Sequence, residues 1–190
     1  MRVRSPKAAV IGLAGFIGLV GVQHIYREDL PPGQHFVSEY ANGNGGFVQV
    51  VAFASWAASI GVQASLTRPP ITRVALGVAA AGSVMTACFA TVTVAGELPD
   101  GMTKSTAGQL HDIGSLLIFA GLLVAVAAST RALRRRGYRL SVAALGVALL
   151  ATVPVMAALG LDEPGWGQRA FIAIGCVWQA LHLRELAARA

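Results

Sequence analysis

The sequence contains few charged residues, and this scarcity excludes an ordinary water-soluble globular protein. Charged side chains make up 13% of the 190 residues, whereas a soluble domain of this length carries about 25%. Apolar residues make up 55%, and the mean hydropathy is +0.62. Too little polar surface remains to coat a globule in water, so we expect much of the surface to face lipid.

Cysteine and processing signals are also scarce. The two cysteines, Cys88 and Cys176, both lie in apolar stretches, and we interpret them as small packing residues rather than as a disulfide or thiolate metal site. The first apolar stretch is not followed by a small-residue cleavage site, so we expect a retained helix rather than a signal peptide. Neither an internal repeat nor a separate soluble domain is evident.

Six stretches are long and apolar enough for the ~20-residue span that a bilayer requires. They cover residues 8–26, 46–67, 72–96, 108–130, 139–161 and 168–186. The sixth contains the shortest uncharged run, and it spans only if Arg169 and Arg184 extend toward the two interfaces. The sequence therefore predicts an all-α fold, with one six-helix transmembrane domain over residues 1–190.

Positive charge is distributed unevenly between the predicted loops. Twelve of the 15 basic residues precede helix 1, follow helix 6, or lie between helices 2 and 3 or 4 and 5. The positive-inside rule therefore predicts that both termini face the cytoplasm and that the other loops face outward. We expect a multi-pass protein of the cytoplasmic membrane. Because the net charge of +6 reflects topology, we expect membrane lipids as partners and no nucleic acid.

Polar residues within the predicted helices should face the bundle interior, because hydrocarbon leaves them unpaired. At 100° per residue, they share one face on each of several helices. The predicted inward stripes include Gln49, Phe53, Trp56 and Gln63; Ser83, Thr86, Thr93 and Glu97; Gly108, His111, Asp112 and Ser115; and Gln168, Gly175, Gln179 and His182. Helix 1 offers a ridge for close helix contact at Gly12, Gly15, Gly18 and Gly21. Pro154 is expected to kink helix 5.

Ionisable residues concentrate at the outward ends of the predicted helices. The candidate catalytic residues are His111, Asp100 and Ser38, and the candidate ligand-binding residues are Glu39, Tyr40, Asp112, Gln168 and Arg169. Turn residues on both sides of segment 35–40 indicate that this segment can fold over the site as a lid. His182 lies about 21 Å from Gln168 along helix 6, and we interpret it as pairing near the cytoplasmic end.

Three chemistries fit these residue types. Ser38 could be a nucleophile activated by His111, with Asp100 or Asp112 orienting the imidazole, although no Gly-x-Ser-x-Gly turn surrounds Ser38. Alternatively, a divalent metal held by His111, Asp100 and Glu39 could activate water, although no tight ligand spacing exists. In the third interpretation, the same groups form ion pairs and hydrogen bonds that fasten loops to helices, for example Asp112 or Glu97 with Arg169.

Haem binding is not expected, because it requires histidines that face each other at similar depth on neighbouring helices. His24 and His111 share the outer depth, but His182 has no matching partner at the inner end. The sequence does not identify a cofactor, and a divalent metal remains open.

The outward loops resemble a known family, the bacterial membrane proteins catalogued as domain of unknown function 998, which are distantly similar to DRAM/Sfk-type six-helix proteins. The resemblance rests on four segments in order: His35–Tyr40, Leu98–Asp100, Gly108–His111 and Gly167–Arg169. It implies a six-helix bundle with an outward-facing polar site around Ser38, Glu39, Asp100, His111 and Arg169. It implies no reaction, although some remote relatives are tied to lipid or lipid-anchor handling.

The leading hypothesis is a site that binds or processes a lipid or amphiphile entering from the outer leaflet. The sequence does not distinguish a lipid-modifying enzyme from a non-catalytic binder. The alternative is a structural or assembly partner in the membrane, for which the protein partner is unknown. A small-solute transporter is a third hypothesis, but it would require more polar residues at mid-depth or interrupted helices.

Overall fold

The computed structural model describes residues 6–95, 97–132 and 164–188, and within them the regular structure is helical apart from one isolated bridge. Five α-helices and a short 3₁₀ helix follow one another along the chain. They are α1 (Lys7–Tyr26), the 3₁₀ helix (Val37–Ala41), α2 (Phe47–Leu66), α3 (Pro70–Cys88), α4 (Thr106–Ala132) and α5 (Pro164–Ala187). The fifth predicted span, residues 139–161 with Pro154, lies outside the described residues, so α5 corresponds to the sixth predicted span.

Four of the described helices are long and apolar enough to cross a bilayer. They are Lys7–Tyr26, Phe47–Leu66, Pro70–Cys88 and Thr106–Ser129. A helix of 20 residues is about 30 Å long, which matches the hydrocarbon thickness. Large apolar side chains also cover their outer surfaces, as Ile11, Ile25 and Leu116 are each 65% or more exposed. Such surfaces require lipid contact, and the chain is an integral, multi-pass membrane protein.

Neighbouring helices pack through small residues. The Ser59 hydroxyl donates to the Ala9 carbonyl, and a Cβ at Gly12 would lie 2.8 Å from the carbonyl oxygen of Ser55. Between α3 and α4, a Cβ at Gly82, Gly114 or Gly121 would likewise overlap the facing helix. Backbones approach this closely only where side chains are absent, which is how helices associate without a hydrophobic driving force.

The predicted glycine ridge of helix 1 is only partly correct. Gly12 contacts α2 closely and Gly15 does so more loosely, but a Cβ at Gly18 or Gly21 would meet no atom within 4 Å. The four glycines are spaced three residues apart, so the ridge turns away from α2 because an α-helix has 3.6 residues per turn.

The third helix is shorter than the sequence predicts. α3 ends at Cys88 rather than near residue 96, because Phe89 takes an extended conformation at φ −121° and ψ 118°. Threonine and valine alternate over residues 91–94, and β-branched side chains of this kind disfavour the helix. Thr93 and Glu97 therefore lie in a loop rather than on an inward helical face, and the Val94–Glu97 bridge closes a tight turn there.

The buried polar interior predicted for helices 2 and 6 is present. The Trp56 indole donates to the Gln179 side chain at 3.0 Å, and the Gln179 amide donates to the Ser59 hydroxyl at 3.1 Å. Further along, the Gln63 amide donates to Nδ1 of His182 at 2.7 Å, so the imidazole is paired as the sequence suggests. On α4 the predicted face is only partly inward, because His111 is buried but Asp112 is exposed.

One end of the bundle gathers all the candidate site residues. Here α1 and α3 end, while α2, α4 and α5 begin; we call it the loop end. Two connections lie there: the first loop, residues 27–46, and the second loop, residues 89–105. The positive-inside prediction places this end outside the cell.

Candidate functional site

The first loop is folded down against the bundle rather than extended. Val37, Ser38, Glu39 and Tyr40 in its 3₁₀ helix are each at most 5% exposed. The side-chain carbonyl of Gln168, in the first turns of α5, accepts a hydrogen bond from the Val37 backbone N–H at 2.7 Å. The segment that the sequence predicts to fold over the site therefore packs against the bundle in this structure.

Arg169 fastens the first loop to α5. Its Nη1 donates to the carbonyl oxygens of Pro32 and His35 at 2.5 Å each and to that of Gly165 at 3.1 Å. Its Nη2 donates to the Tyr40 hydroxyl at 2.9 Å, and the guanidinium lies 5.4 Å from the centre of the Tyr40 ring. These acceptors are neutral, so Arg169 acts here by donating several hydrogen bonds rather than by forming an ion pair. We call this set of contacts the arginine latch.

His24 completes the latch, and its contacts fix the position of its proton. Its Nε2 accepts from Nε of Arg169 at 2.7 Å, so this nitrogen carries a lone pair. Its Nδ1 lies 2.7 Å from the Val20 carbonyl oxygen and must therefore donate. Both ring nitrogens are engaged, which leaves neither available as an axial ligand for haem.

Gly165 lets the start of α5 approach the first loop at backbone distance. Its N–H donates to the Gly33 carbonyl at 2.8 Å. A Cβ at this position would overlap the carbonyl oxygens of Pro32, Gly33 and His35. Only glycine fits, because any side chain would displace the carbonyls that Arg169 holds.

Glu39 joins the first loop to the second. Its carboxylate accepts from Nδ1 of His35 at 2.6 Å, from the Thr93 hydroxyl at 3.2 Å and from the Ala95 backbone N–H at 2.9 Å. Ala95 adopts a positive φ of 54°, which is uncommon outside glycine and which the Glu39 contact helps to hold. Glu39 is 2% exposed, and these hydrogen bonds engage both oxygens of a carboxylate that the sequence offered as a metal ligand.

Arg27 and Asp29 anchor the start of the first loop. Two parallel hydrogen bonds of 2.9 Å join the guanidinium to the carboxylate, and Nη1 also donates to the carbonyls of Tyr40 and Asn42. The hydrogen bonds from Arg27 lower the pKa of Asp29 below its usual value. The same contacts raise the pKa of Arg27, against the opposing effect of burial.

His111 differs from the residues of the latch because one of its nitrogens is unpartnered. Its Nδ1 lies 2.7 Å from the Phe89 carbonyl oxygen at the start of the second loop. A carbonyl has no hydrogen to give, so Nδ1 is the donor and Nε2 carries the lone pair of the neutral ring. His111 is 2% exposed, and Nε2 has no hydrogen-bond partner within the described residues.

A second incomplete group lies between α1 and α2. The side-chain amide of Gln23 donates to the side-chain carbonyl of Gln49, and both residues are at most 2% exposed. The remaining Gln23 carbonyl oxygen and the remaining Gln49 amide nitrogen have no partner in the part of the chain that the structure describes. We call this group the amide pair.

The predicted catalytic residues do not form one connected group in this conformation. Ser38 is buried in the first loop, whereas Asp100 is exposed in the turn before Gly101. Over residues 6–95, 97–132 and 164–188, no hydrogen bond joins either residue to His111. Asp112 does not orient the imidazole; it pairs with Lys104 on the surface. Among the described residues, no group of three His, Cys, Asp or Glu side chains could hold a metal ion.

Several residues of the site were not identified from the sequence. Gln23 and His24 lie next to the end of an apolar stretch, and Gly165 and Arg27 lie in loop-like sequence. The signals available were a polar residue inside an apolar helix, for Gln23, and a Pro-Gly pair at a helix start, for Gly165. Neither signal indicates which group the residue contacts in the folded protein.

The family assignment agrees with the expectation from the loop motifs. The family described as "Protein of unknown function (DUF998)" matches residues 10–185, which is most of the chain, and the protein belongs to that family. No curated protein and no solved structure matches the chain. The matched range includes the latch, His111 and the amide pair, so all three lie within the family's own domain.

Proposed function

We propose that this DUF998 protein binds a lipid or another amphiphile at its loop end, within the outer leaflet. Family membership and the apolar helices make it an integral membrane protein, and the ligand is our inference from the unpartnered polar atoms at that end. The single observation that carries the proposal is the free lone pair on Nε2 of His111.

An unpaired buried acceptor is costly, because it has lost its hydrogen bonds to water without replacing them. The penalty is about 1–3 kcal/mol, and buried polar groups in folded proteins are nearly always paired. His111 cannot relieve the cost by exchanging the roles of its nitrogens, because the Phe89 carbonyl requires a donor at Nδ1. The geometry therefore favours a ligand that brings an O–H or N–H donor to Nε2.

The surroundings of His111 favour an amphiphile over a small polar solute. On the same helix, Ile113 and Leu116 are 49% and 65% exposed, so lipid surrounds the bundle near this end. An amphiphile partitions into that environment, whereas a small polar solute remains in water.

Binding is supported better than catalysis by the closed conformation. A neutral imidazole with a free lone pair can act as a general base, but neither Ser38 nor Asp100 is hydrogen-bonded to it. We therefore propose a binding site.

Photo-crosslinking of the purified protein in phosphatidylcholine nanodiscs tests the proposal. The probe is a monoacylglycerol whose acyl chain carries a diazirine. His111→Asn keeps a donor near the Nδ1 position but removes Nε2, and Gln109→Ala alters an exposed residue on the same helix as the control. Losing one buried hydrogen bond of about 1–1.5 kcal/mol weakens binding roughly tenfold. Equal labelling of His111→Asn and the wild type at residues near α4 would remove the basis for the proposal.

A structural or assembly role is the second candidate, and the arginine latch favours it. The contacts of Arg169 and Glu39 hold the first loop through the protein's own groups, as expected of a surface that presents a fixed shape to a partner. The two functions differ in the crosslinking experiment. A structural protein labels at the level of nonspecific lipid contact, and that level is the same in the wild type and in His111→Asn.

A further inference from the structure

The amide pair has an arrangement of unused hydrogen-bonding groups that identifies a ligand class. Gln23 lies three residues before the end of α1, and Gln49 is the third residue of α2. One hydrogen bond joins them, so two primary amides that together offer several donors and acceptors use one of each. An unpartnered carbonyl oxygen and an unpartnered amide nitrogen remain.

The donor–acceptor pattern does not depend on which way the amides are turned. Rotating both side chains by half a turn reverses the bond, with Gln49 donating and Gln23 accepting. The unused groups then exchange between the residues, but one donor and one acceptor still remain. Rotating only one amide would bring two oxygens or two nitrogens into contact. Neither combination forms a hydrogen bond, so this arrangement is disfavoured.

No other group within residues 6–95, 97–132 and 164–188 satisfies these amide atoms. Phe53, one turn below Gln49, offers only its ring, which stacks near Phe16 at 6.4 Å between centroids. The polar residues closest to this end of α1, His24 and Arg27, direct their nitrogens to other partners. The unpaired amide groups therefore carry a desolvation penalty that a bound group would remove.

We propose that the amide pair binds a hydroxyl group of the amphiphile, so that the preferred ligand is a lipid with a free hydroxyl. A single hydroxyl accepts from the free N–H of one amide and donates to the free carbonyl of the other. A phosphodiester or an ester has acceptors only, and it would leave the amide carbonyl unpaired. This inference rests on the proposed function and specifies the chemical class of its ligand.

The depth of the amide pair suits such a headgroup. Three residues of helix separate Gln23 from the end of α1, about 4.5 Å, which lies near the boundary between hydrocarbon and headgroups. On the same stretch of α1, Val22 and Ile25 are 56% and 78% exposed, and Val51 on α2 is 48% exposed. An acyl chain can follow these side chains while its hydroxyl-bearing end reaches the amides.

A comparison of two probes tests this inference in the wild-type protein. One is the diazirine-tagged monoacylglycerol with free hydroxyls, and the other is its dimethyl ether with the same chain. Both are presented in phosphatidylcholine nanodiscs, and crosslinked peptides are mapped by mass spectrometry. We expect the free-hydroxyl probe to label α1 and α2 near the amide pair roughly tenfold more than the ether, because the ether loses the donor to the amide carbonyl.

Two variants assign the preference to the amides. Gln23→Met and Gln49→Met keep side-chain length and remove the hydrogen-bonding groups, so each should abolish the preference for the free hydroxyl. Gln63→Met is the matched control on α2, because Gln63 is equally buried but lies 14 residues away, about 21 Å along the helix. Thermal unfolding in detergent identifies any variant that fails to fold, and the wild-type comparison remains decisive in that case.

The outcomes separate this inference from the proposed function. Equal labelling by both probes in the wild type overturns the hydroxyl preference but leaves amphiphile binding intact. No specific labelling by either probe overturns the proposed function itself. A preference that survives in both methionine variants also overturns the inference, because the hydroxyl is then recognised elsewhere and the amides hold buried water only.

Discussion

The arginine latch and the amide pair lie at the same end of the bundle but differ in how completely their polar groups are paired. Arg169 donates to five acceptors, and both nitrogens of His24 are engaged. In the amide pair, and likewise at His111, a buried donor or acceptor has no partner among the described residues. Complete pairing stabilises one conformation of the loop. An unpaired buried group carries a desolvation penalty, and a ligand that pairs with it removes that penalty.

Removing the latch tests the region whose polar groups are fully paired, and it should have the largest effect on stability. Arg169→Met keeps much of the side-chain volume but leaves the carbonyls of Pro32 and His35 and the Tyr40 hydroxyl without their donor. We expect a loss of about 3 kcal/mol or more in the free energy of unfolding, measured by thermal unfolding in detergent. Arg169→Lys should recover only part of the loss, since one ammonium cannot reach all these acceptors.

If the lysine variant proves as stable as the wild type, the divergent geometry of the guanidinium is not what holds the loop. If Arg169→Met unfolds at the wild-type temperature, the latch contributes nothing to stability. Complete pairing would then not be what stabilises the first loop.

Gly165→Ala should have the next largest effect. The added methyl group would overlap three carbonyl oxygens of the first loop, and relieving such overlap costs about 1–3 kcal/mol. Gly18→Ala is the control, because a Cβ there meets no atom within 4 Å. The control should be neutral or slightly stabilising, since alanine favours the helix by up to about 1 kcal/mol. Hydrogen exchange over residues 33–41 should accelerate only in Gly165→Ala.

In the absence of ligand, removing the amide pair should change the free energy of unfolding much less than removing the latch. Replacing both glutamines, as in Gln23→Met with Gln49→Met, removes one hydrogen bond together with the two unpaired groups. These effects oppose each other, so we expect the free energy of unfolding to change by less than about 1 kcal/mol. Thermal unfolding in delipidated detergent micelles measures this. A loss as large as that of Arg169→Met would indicate that the amides are already satisfied and would remove the contrast between the two regions.

The smallest effect should come from the ion pair at the start of the first loop, because its carboxylate, Asp29, is 63% exposed. Arg27 lowers the pKa of Asp29 in the folded protein, so the pair stabilises the fold above the unfolded-state pKa near 3.8. That contribution disappears as the pH falls through the lowered folded-state pKa. Asp29→Asn should therefore be slightly less stable than the wild type at pH 7 and equally stable once Asp29 is protonated. A stability difference that grows toward acid would contradict this sign.

The fold was predictable from the sequence where it depends on hydrophobic length. α1 differs from its predicted span by one residue at its start, and α2 differs by one residue at each end. Hydrophobicity alone overestimated α3, because residues 91–94 are all β-branched and form a loop rather than helix. The inward faces predicted for α2 and α5 are largely buried. Helical periodicity determines which residues share a face, so this part was predictable.

The site was predictable in its location but not in its connections. Charge and turn residues indicated that His111, Glu39 and Arg169 would gather at one end of the bundle, and they do. The partners of Arg169 are mainly backbone carbonyls, which every residue possesses, so no sequence pattern distinguishes Pro32 or His35 as acceptors. The unpaired state of Gln23 is likewise a property of its surroundings and not of its residue type.

The long sequence separation within the latch has a consequence for how the protein is made. Arg169 contacts carbonyls that lie 134 and 137 residues earlier in the chain. At a synthesis rate of about 5–20 residues per second, the first loop is complete roughly 6–25 s before Arg169 exists. During that interval the loop has none of its α5 contacts, so the latch can close only after α5 has been synthesised.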